Sequence, residues 1–211
     1  MTIFFSKVIP LSAVIRPQII LLMGGPGSGK GVLAKNLPQI THFSIGEALR
    51  DIIKDANHPS SESFRARIEQ GKLLNDDEII NILSNAPVLH QETPVLLDGF
   101  PRTLPQWNKF KQSHGLPSAV IDISVSEETM RKRLSSRGRK DDEKTVIEYR
   151  INDYFTNTQI MAKQILQEVH PSLVVKADSL TPDDVSEMSK EFLENENLYP
   201  REDWVCYKQK P

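Results

Sequence analysis

The residues best suited to chemistry begin with GGPGSGKG, Gly24 to Gly31, which follows an apolar run and precedes a stretch of helical composition. The spacing fits G-x-x-x-x-G-K through Lys30, with Gly31 where that pattern carries Ser or Thr. Wrapping backbone N–H groups around a phosphate demands left-handed dihedrals that glycine reaches at little steric cost, and the helix that follows adds its positive end. Lys30 adds a mobile charge for the outer phosphates. A flexible glycine turn is the bland alternative, and the strand-like run before and the helix-like run after weigh against it. A dinucleotide-binding G-x-G-x-x-G fails on spacing, because counting from Gly25 ends on Lys30 and counting from Gly27 ends on Val32.

Two further segments carry candidate chemistry. In LLDGFPRTLPQW, Leu96 to Trp107, Asp98 closes an apolar run and is suited to holding Mg²⁺ directly or through water, with a turn cap as the alternative. Arg102 could grip a phosphate with both arms of its guanidinium, and the Gln106 amide can both donate to and accept from a base edge. In RKRLSSRGRKDD, Arg131 to Asp142, Arg133 and Arg137 share a helix face, and Gly138 releases the chain into a turn with Arg139, Asp141 and Asp142. Charge runs are usually solvated faces. Phosphoryl transfer, however, asks a protein mainly for positioning and for cations around the moving group, which this collection of arginines supplies.

The elements that must position these residues read as alternating strands and helices. Strand-like runs at Pro17 to Met23, Pro94 to Leu97, Ser118 to Val125 and Ser172 to Lys176, with a further short one at Thr41 to Ser44, predict five strands bounded by turn residues. Between them lie helical patterns with legible starts: Asn75 before three acids, Ser126 before Glu127 and Glu128, and Thr181 before Pro182 and two aspartates. This alternation implies an α/β fold, a parallel sheet covered on both faces by helices, with ligands at the carboxyl ends of the strands. Phe64 and Ile68, four apart, are expected in a small core, and Trp107 is expected to pack beneath Gln106.

Composition narrows the function further. The 211 residues hold 26 Lys+Arg against 28 Asp+Glu, a net charge of −2, which argues against general coating of nucleic acid. The lone cysteine, Cys206, cannot form a disulfide within the chain or build a multi-thiolate zinc site, so a reducing compartment, the cytoplasm, is expected. Residues 1–17 are broken by Lys7, Pro10, Ser12 and Arg16, far short of the ~20 apolar residues of a spanning helix, and read as a loose extension with neither signal peptide nor membrane segment. His42, His58, His90, His114 and His170 are scattered and read as surface or satisfied core residues.

Taken in order, GGPGSGKG, FSIGEALR (Phe43 to Arg50), GKLL (Gly71 to Leu74), LLDGFPRTLPQ, RLSSRGRKDD and Tyr149-Arg150 resemble the motifs of the adenylate kinase family of nucleoside monophosphate kinases over about residues 18 to 195. The resemblance implies a P-loop NTPase-type core of five parallel strands, an NMP-binding insert at about 45–75, a short LID at about 137–143, and a tail over 196–211. It also implies ATP contacts from Gly25, Pro26, Gly27, Ser28, Gly29, Lys30, Gly31, Val32 and Arg133. The monophosphate would meet Ile45, Arg50, Leu74, Gly99, Arg102 and Gln106, with Lys30, Arg102, Arg137, Arg139 and Arg150 around the transferring group. Asp98 would orient hydrated Mg²⁺; no zinc is implied. The expected partners are ATP and a nucleoside monophosphate, bound to a monomer.

The chain departs from the family pattern at Val32, where Thr is usual, and at Ile45, where adenylate kinases commonly carry Thr and UMP/CMP kinases Ala. Gln106 favours AMP. A UMP/CMP kinase and a nucleotide-binding regulatory protein with weakened catalysis are the alternatives. The family's R-G and G-R-x-D-D pieces are fused here as Arg137-Gly138-Arg139-Lys140-Asp141-Asp142, a trimmed LID. A lid this short excludes water less completely, which predicts slow ATP hydrolysis beside transfer. ADP released from ATP without acceptor should exceed an inactive-enzyme blank; a rate equal to the blank refutes the expectation.

Overall fold

The computed structural model describes residues 18–69, 74–90, 93–138 and 143–199. Five strands form one sheet: β1 (Ile19–Gly24), β2 (Thr41–Ser44), β3 (Val95–Asp98), β4 (Ala119–Ser124) and β5 (Ser172–Lys176). All pairs are parallel, in the order β2-β3-β1-β4-β5. Each expected strand is present: β2 and β5 have the expected bounds, and the ends of β1, β3 and β4 shift by a residue or two. Pro94 precedes β3 rather than opening it, as a residue without an N–H to give the ladder should. Pro17 lies outside the described residues.

The described helices are α1 (Lys30–Asn36), α2 (Ile45–Lys54), α3 (Ser61–Glu69), α4 (Asp76–Ser84), α5 (Leu104–His114), α6 (Glu127–Arg137), α7 (Lys144–Asp153), α8 (Gln159–Glu168) and α9 (Pro182–Asn195). A π turn over Tyr154–Thr158 joins α7 to α8. The starts read from the sequence are built as expected: Asn75 and Glu78 form a reciprocal capping box on α4, Thr181 and Asp184 another on α9, and Ser126 caps α6.

Residues of the three central strands alternate between two apolar layers, which is why β1, β3 and β4 read as largely apolar runs, whereas the edge strands β2 and β5 are less buried. Ile20, Leu22, Leu96, Ile121, Ile123 and Val175 face α1, α6, α7 and α9 through Leu33, Met130, Leu134, Ile147, Ile151 and Leu193. On the opposite face Ile19, Leu21, Val95, Leu97 and Val120 meet α2, α4, α5 and α8 through Leu49, Leu83, Trp107, Phe110 and Ile165. Phe64 joins this second layer, with Ile68 at its margin. Trp107 is fully buried, parallel to Phe110, and its indole N–H donates to Glu168 (2.9 Å), which also accepts from Lys111 (2.7 Å). Packing does not stop at residue 195, since Leu198 and Tyr199 are buried in the first layer and the Tyr199 hydroxyl contacts Gln39. Among the described residues no helix is long and apolar enough to cross a membrane.

The two kinds of stabilisation differ in size and can be separated by chemical denaturation. Leu97→Ala, in a strand paired on both sides, should cost about 2–5 kcal/mol. Asn75→Ala should cost about 1 kcal/mol through loss of the capping box. Comparable losses would contradict this division between core and cap.

Candidate functional site

β1 sits between β3 and β4, so the chain leaves its carboxyl end where the sheet's connections diverge, the crevice in which such sheets bind ligands. A cleft of about 790 Å³ opens there. Its floor is the glycine loop. Gly24 has φ +137°, and a Cβ at that position would lie 2.4 Å from the Ile123 carbonyl oxygen and 2.8 Å from Ser28 Oγ, so only glycine lets the loop turn this close to β4. Gly29, also left-handed, hands the chain to α1, whose amino end carries no side-chain cap.

Lys30 folds back over this loop, donating to the Gly24 carbonyl (2.8 Å), the Gly25 carbonyl (2.9 Å) and Ser28 Oγ (3.3 Å). Burial pulls its pKa below the ordinary lysine value. Asp98 and Asp122 oppose that shift, while Arg102 and Arg137 reinforce it. Asp98, eight per cent exposed, ends β3 opposite Leu22 of β1, on the strand beside the loop as expected. Burial works to raise its pKa, but the contact with His42 and the charges of Lys30 and Arg102 outweigh it and hold the carboxyl below its ordinary value.

Arginines approach from several elements. Arg50 projects from α2, Arg133 and Arg137 from α6, Arg150 from α7, and Arg102 from the turn between β3 and α5; all line the cleft. Arg102 is open to solvent within the cleft, and its Nε donates to the Gly99 carbonyl (3.1 Å). The surrounding walls desolvate its guanidinium and lower its pKa, Asp98 and Asp153 counteracting, Arg150 and Arg50 adding to the fall. Arg133 donates to the Ser28 carbonyl and to the Ala177 carbonyl, both at 3.2 Å, tying the glycine loop to the turn after β5.

The far side of the cleft is apolar, with Ile45, Leu49, Ile68, Leu74 and Ile79 around the buried amide of Gln106. Gln106 Oε1 accepts from the Arg102 backbone N–H at 2.9 Å, which couples the amide to the arginine turn. Pro26, Gly27, Ser28, Gly29, Gly31, Val32 and Gly99 also line the cleft. Gly25 does not: it faces Met130 and Tyr154, and its carbonyl serves Lys30. Arg139 and Gly71 to Leu73 lie outside the described residues.

Four residues in or beside the site escape the sequence reading. His42, read as a bland histidine, stands on β2 with Nε2 3.4 Å from Asp98 Oδ2; only the β2–β3 pairing brings them together. Asp122 lies on β4 opposite Met23, buried, with Oδ1 lacking a hydrogen-bond partner and its pKa raised by burial against the pull of Lys30. Its signal was an acid inside the apolar run SAVIDISV. Asp153, just before the π turn, and Thr158, its last residue, line the cleft and carried no signal at all.

Comparison with known proteins agrees with this geometry. The sequence model of the family described as adenylate kinase matches residues 22–168. The chain is 33% identical over 158 residues to adenylate kinase isoenzyme 1 of Sus scrofa, covering 68% of this chain and 78% of that protein. Identity is 31% over 153 residues to the Homo sapiens isoenzyme 1, with the same coverage, and 35% over 146 residues to an adenylate kinase of Prochlorococcus marinus (strain MIT 9211), covering 66% and 78%. With the glycine loop, the sheet order and these matches in agreement, the chain belongs to the adenylate kinase family and is a nucleoside monophosphate kinase.

Proposed function

We propose that this kinase moves the γ-phosphoryl group of Mg-ATP to AMP, producing two ADP. The observation that carries the reading is the convergence of Lys30, Arg50, Arg102, Arg133, Arg137 and Arg150 on one cleft, with the glycine loop at one end and the Gln106 amide in an apolar slot at the other. Such a cleft suits two nucleotides meeting by their phosphates, and two nucleotides on a monomer are the partners this reading requires.

On this reading the loop backbone from Pro26 to Val32 receives the donor phosphates, Lys30 leaves its carbonyl partners for them, and Arg133 lies beside the donor base. Arg50 and Arg102 grip the acceptor phosphate. Ile45, Leu74 and Gly99 border the acceptor, and Gln106 pairs with its base edge. Arg102, Arg137, Arg139 and Arg150 surround the transferring group, stabilising charge that spreads over its oxygens in the transition state. The segments at about 45–75 and 137–143 act as the moving NMP-binding and LID inserts. A cytoplasmic location is supported by the single cysteine.

The residues present fit Mg²⁺. Asp98 is a buried carboxylate whose pKa is held low, and among the described residues no cluster of three or more His, Cys, Asp or Glu side chains is arranged to hold a metal ion. One carboxylate acting through water, with substrate phosphates completing the shell, is the usual arrangement for this hard, strongly hydrated ion. When bound, the ion would neutralise charge between the outer phosphates. Asp98 would orient its water shell, and His42 would hold Asp98.

A coupled ADP-release assay with Mg-ATP against AMP, CMP, UMP and GMP tests the reading. AMP should be preferred. Preference for CMP or UMP would overturn the base assignment, and activity with none would favour a regulatory nucleotide binder, the role that the missing hydroxyl at Val32 suits. Lys30→Met and Arg102→Ala should each lower kcat/KM by roughly 10²-fold or more with unchanged circular dichroism. Near-normal turnover in either variant would refute the assigned roles.

A further inference from the structure

Helix α6 is attached to the rest of the molecule in a way the reaction alone does not require. Its first turn is gripped by Asp178, two residues beyond the end of β5. Asp178 Oδ1 accepts from the Ser126 N–H (2.9 Å), the Ser126 hydroxyl (2.6 Å) and the Thr129 hydroxyl (2.6 Å), while Oδ2 lies 3.1 Å from the same N–H. Four residues beyond Thr129, on the same helix face, Arg133 donates to the carbonyl of Ala177, the residue before Asp178. One face of α6 is therefore pinned at two points to the turn after β5. That turn is itself fixed to the sheet by the Ala177 N–H on the Ser124 carbonyl (2.8 Å).

The same helix supports the glycine loop. Arg133 reaches the Ser28 carbonyl with its other guanidinium nitrogen. The loop backbone leans on the helix at Gly27, where a Cβ would sit 3.2 Å from the Met130 carbonyl oxygen and 3.3 Å from Leu134 Cγ. Ala177, Leu180, Thr181, Pro182 and Val185, from the turn and the start of α9, form the cleft wall beside Arg133. Loop, arginine and wall thus share one mount, and Asp178 sets where that mount stands.

We propose that Asp178 is a positioning residue for the donor nucleotide: by anchoring Ser126 and Thr129 it fixes α6, and through α6 it fixes Arg133, the Ala177 carbonyl and the phosphate loop against the donor. The identification of this end of the cleft with the donor rests on the function proposed above. Three donors converge on an exposed carboxylate, and its pKa falls to about 2, through the Ser126 and Thr129 hydroxyls first and the nearby Arg133 last. The anchor is therefore ionised throughout the range in which a kinase works, and charge-assisted bonds of this kind are the stronger and more directional ones. The acceptor end, built on α2, α4 and the turn before α5, shares none of these contacts.

The full-length chain should be titrated by calorimetry with Mg-ATP and, separately, with AMP, alongside steady-state KM values for both. Asp178→Ala is expected to weaken ATP binding on the order of tenfold and leave AMP binding unchanged. Asp178→Asn, which keeps one acceptor oxygen, should fall between. Thr129→Val removes one donor from the other side; it should shift the ATP value in the same direction and add little on top of Asp178→Ala. If Asp178→Ala does not fold, Thr129→Val and Asp178→Asn carry the test. A melting temperature that falls while both affinities hold, or affinities that fall together, would overturn the proposal and leave Asp178 as a structural staple. A wild-type chain that binds both nucleotides without transferring would sink the transferase reading while the binding comparison still decides the role of Asp178; one that binds neither overturns both.

Discussion

Six cations drawn from five different parts of the fold face one another across a single cleft, and like charges at that range repel. Holding them there is the constraint on which the rest of the structure depends. The sheet meets it with rigidity: β1 and β3 are buried on both faces and paired on both edges, so the loop and the arginine turn at their carboxyl ends cannot drift apart. Two buried carboxylates, Asp98 and Asp122, flank Lys30 from the strands on either side of β1 and temper the repulsion. The arginines are thus gathered around the cleft by the fold itself, while Lys30 rests on the Gly24 and Gly25 carbonyls.

The two ends of the cleft are supported by different machinery. The apolar slot and Gln106 belong to the layer containing α2, α4, α5 and α8, where Trp107, Phe110 and Glu168 lock α5 against α8. The glycine loop and Arg133 belong to the opposite layer, with α1, α6, α7 and α9. Each end is thus backed by its own layer, and Arg102 and Arg150 line the same cleft. This division fits an enzyme that must bring two separate nucleotides into line and let both go again.

Much of the fold was legible because its determinants are contiguous. The central strands are runs of residues largely apolar on both faces, and the caps at Asn75, Ser126 and Thr181 depend on side chains within three residues of one another. The glycine loop was legible for the same reason, since its backbone requirement is local. Arg102 and Gln106 were singled out by their place just past an apolar run, whereas Arg50 and Arg150 entered only through a resemblance that spans most of the chain. Gly25 entered as an ATP contact through the resemblance; in the fold a Cβ there would meet Met130 and Tyr154, a neighbourhood the loop motif does not encode.

By itself, the sequence determined the chemistry on offer: a loop able to wrap phosphate, a lysine to serve it, arginines in excess of what a solvated face needs, and an α/β frame of five strands. Only the tertiary structure decided which of these groups meet. His42 approaches Asp98, Asp122 approaches Lys30, and Asp178 holds Ser126 and Thr129 because the strands lie in the order β2-β3-β1-β4-β5 with a particular register. Those neighbours are separated by about fifty residues or more along the chain, and no local preference of backbone or side chain encodes a contact at that separation; it follows from packing two apolar layers against one twisted sheet.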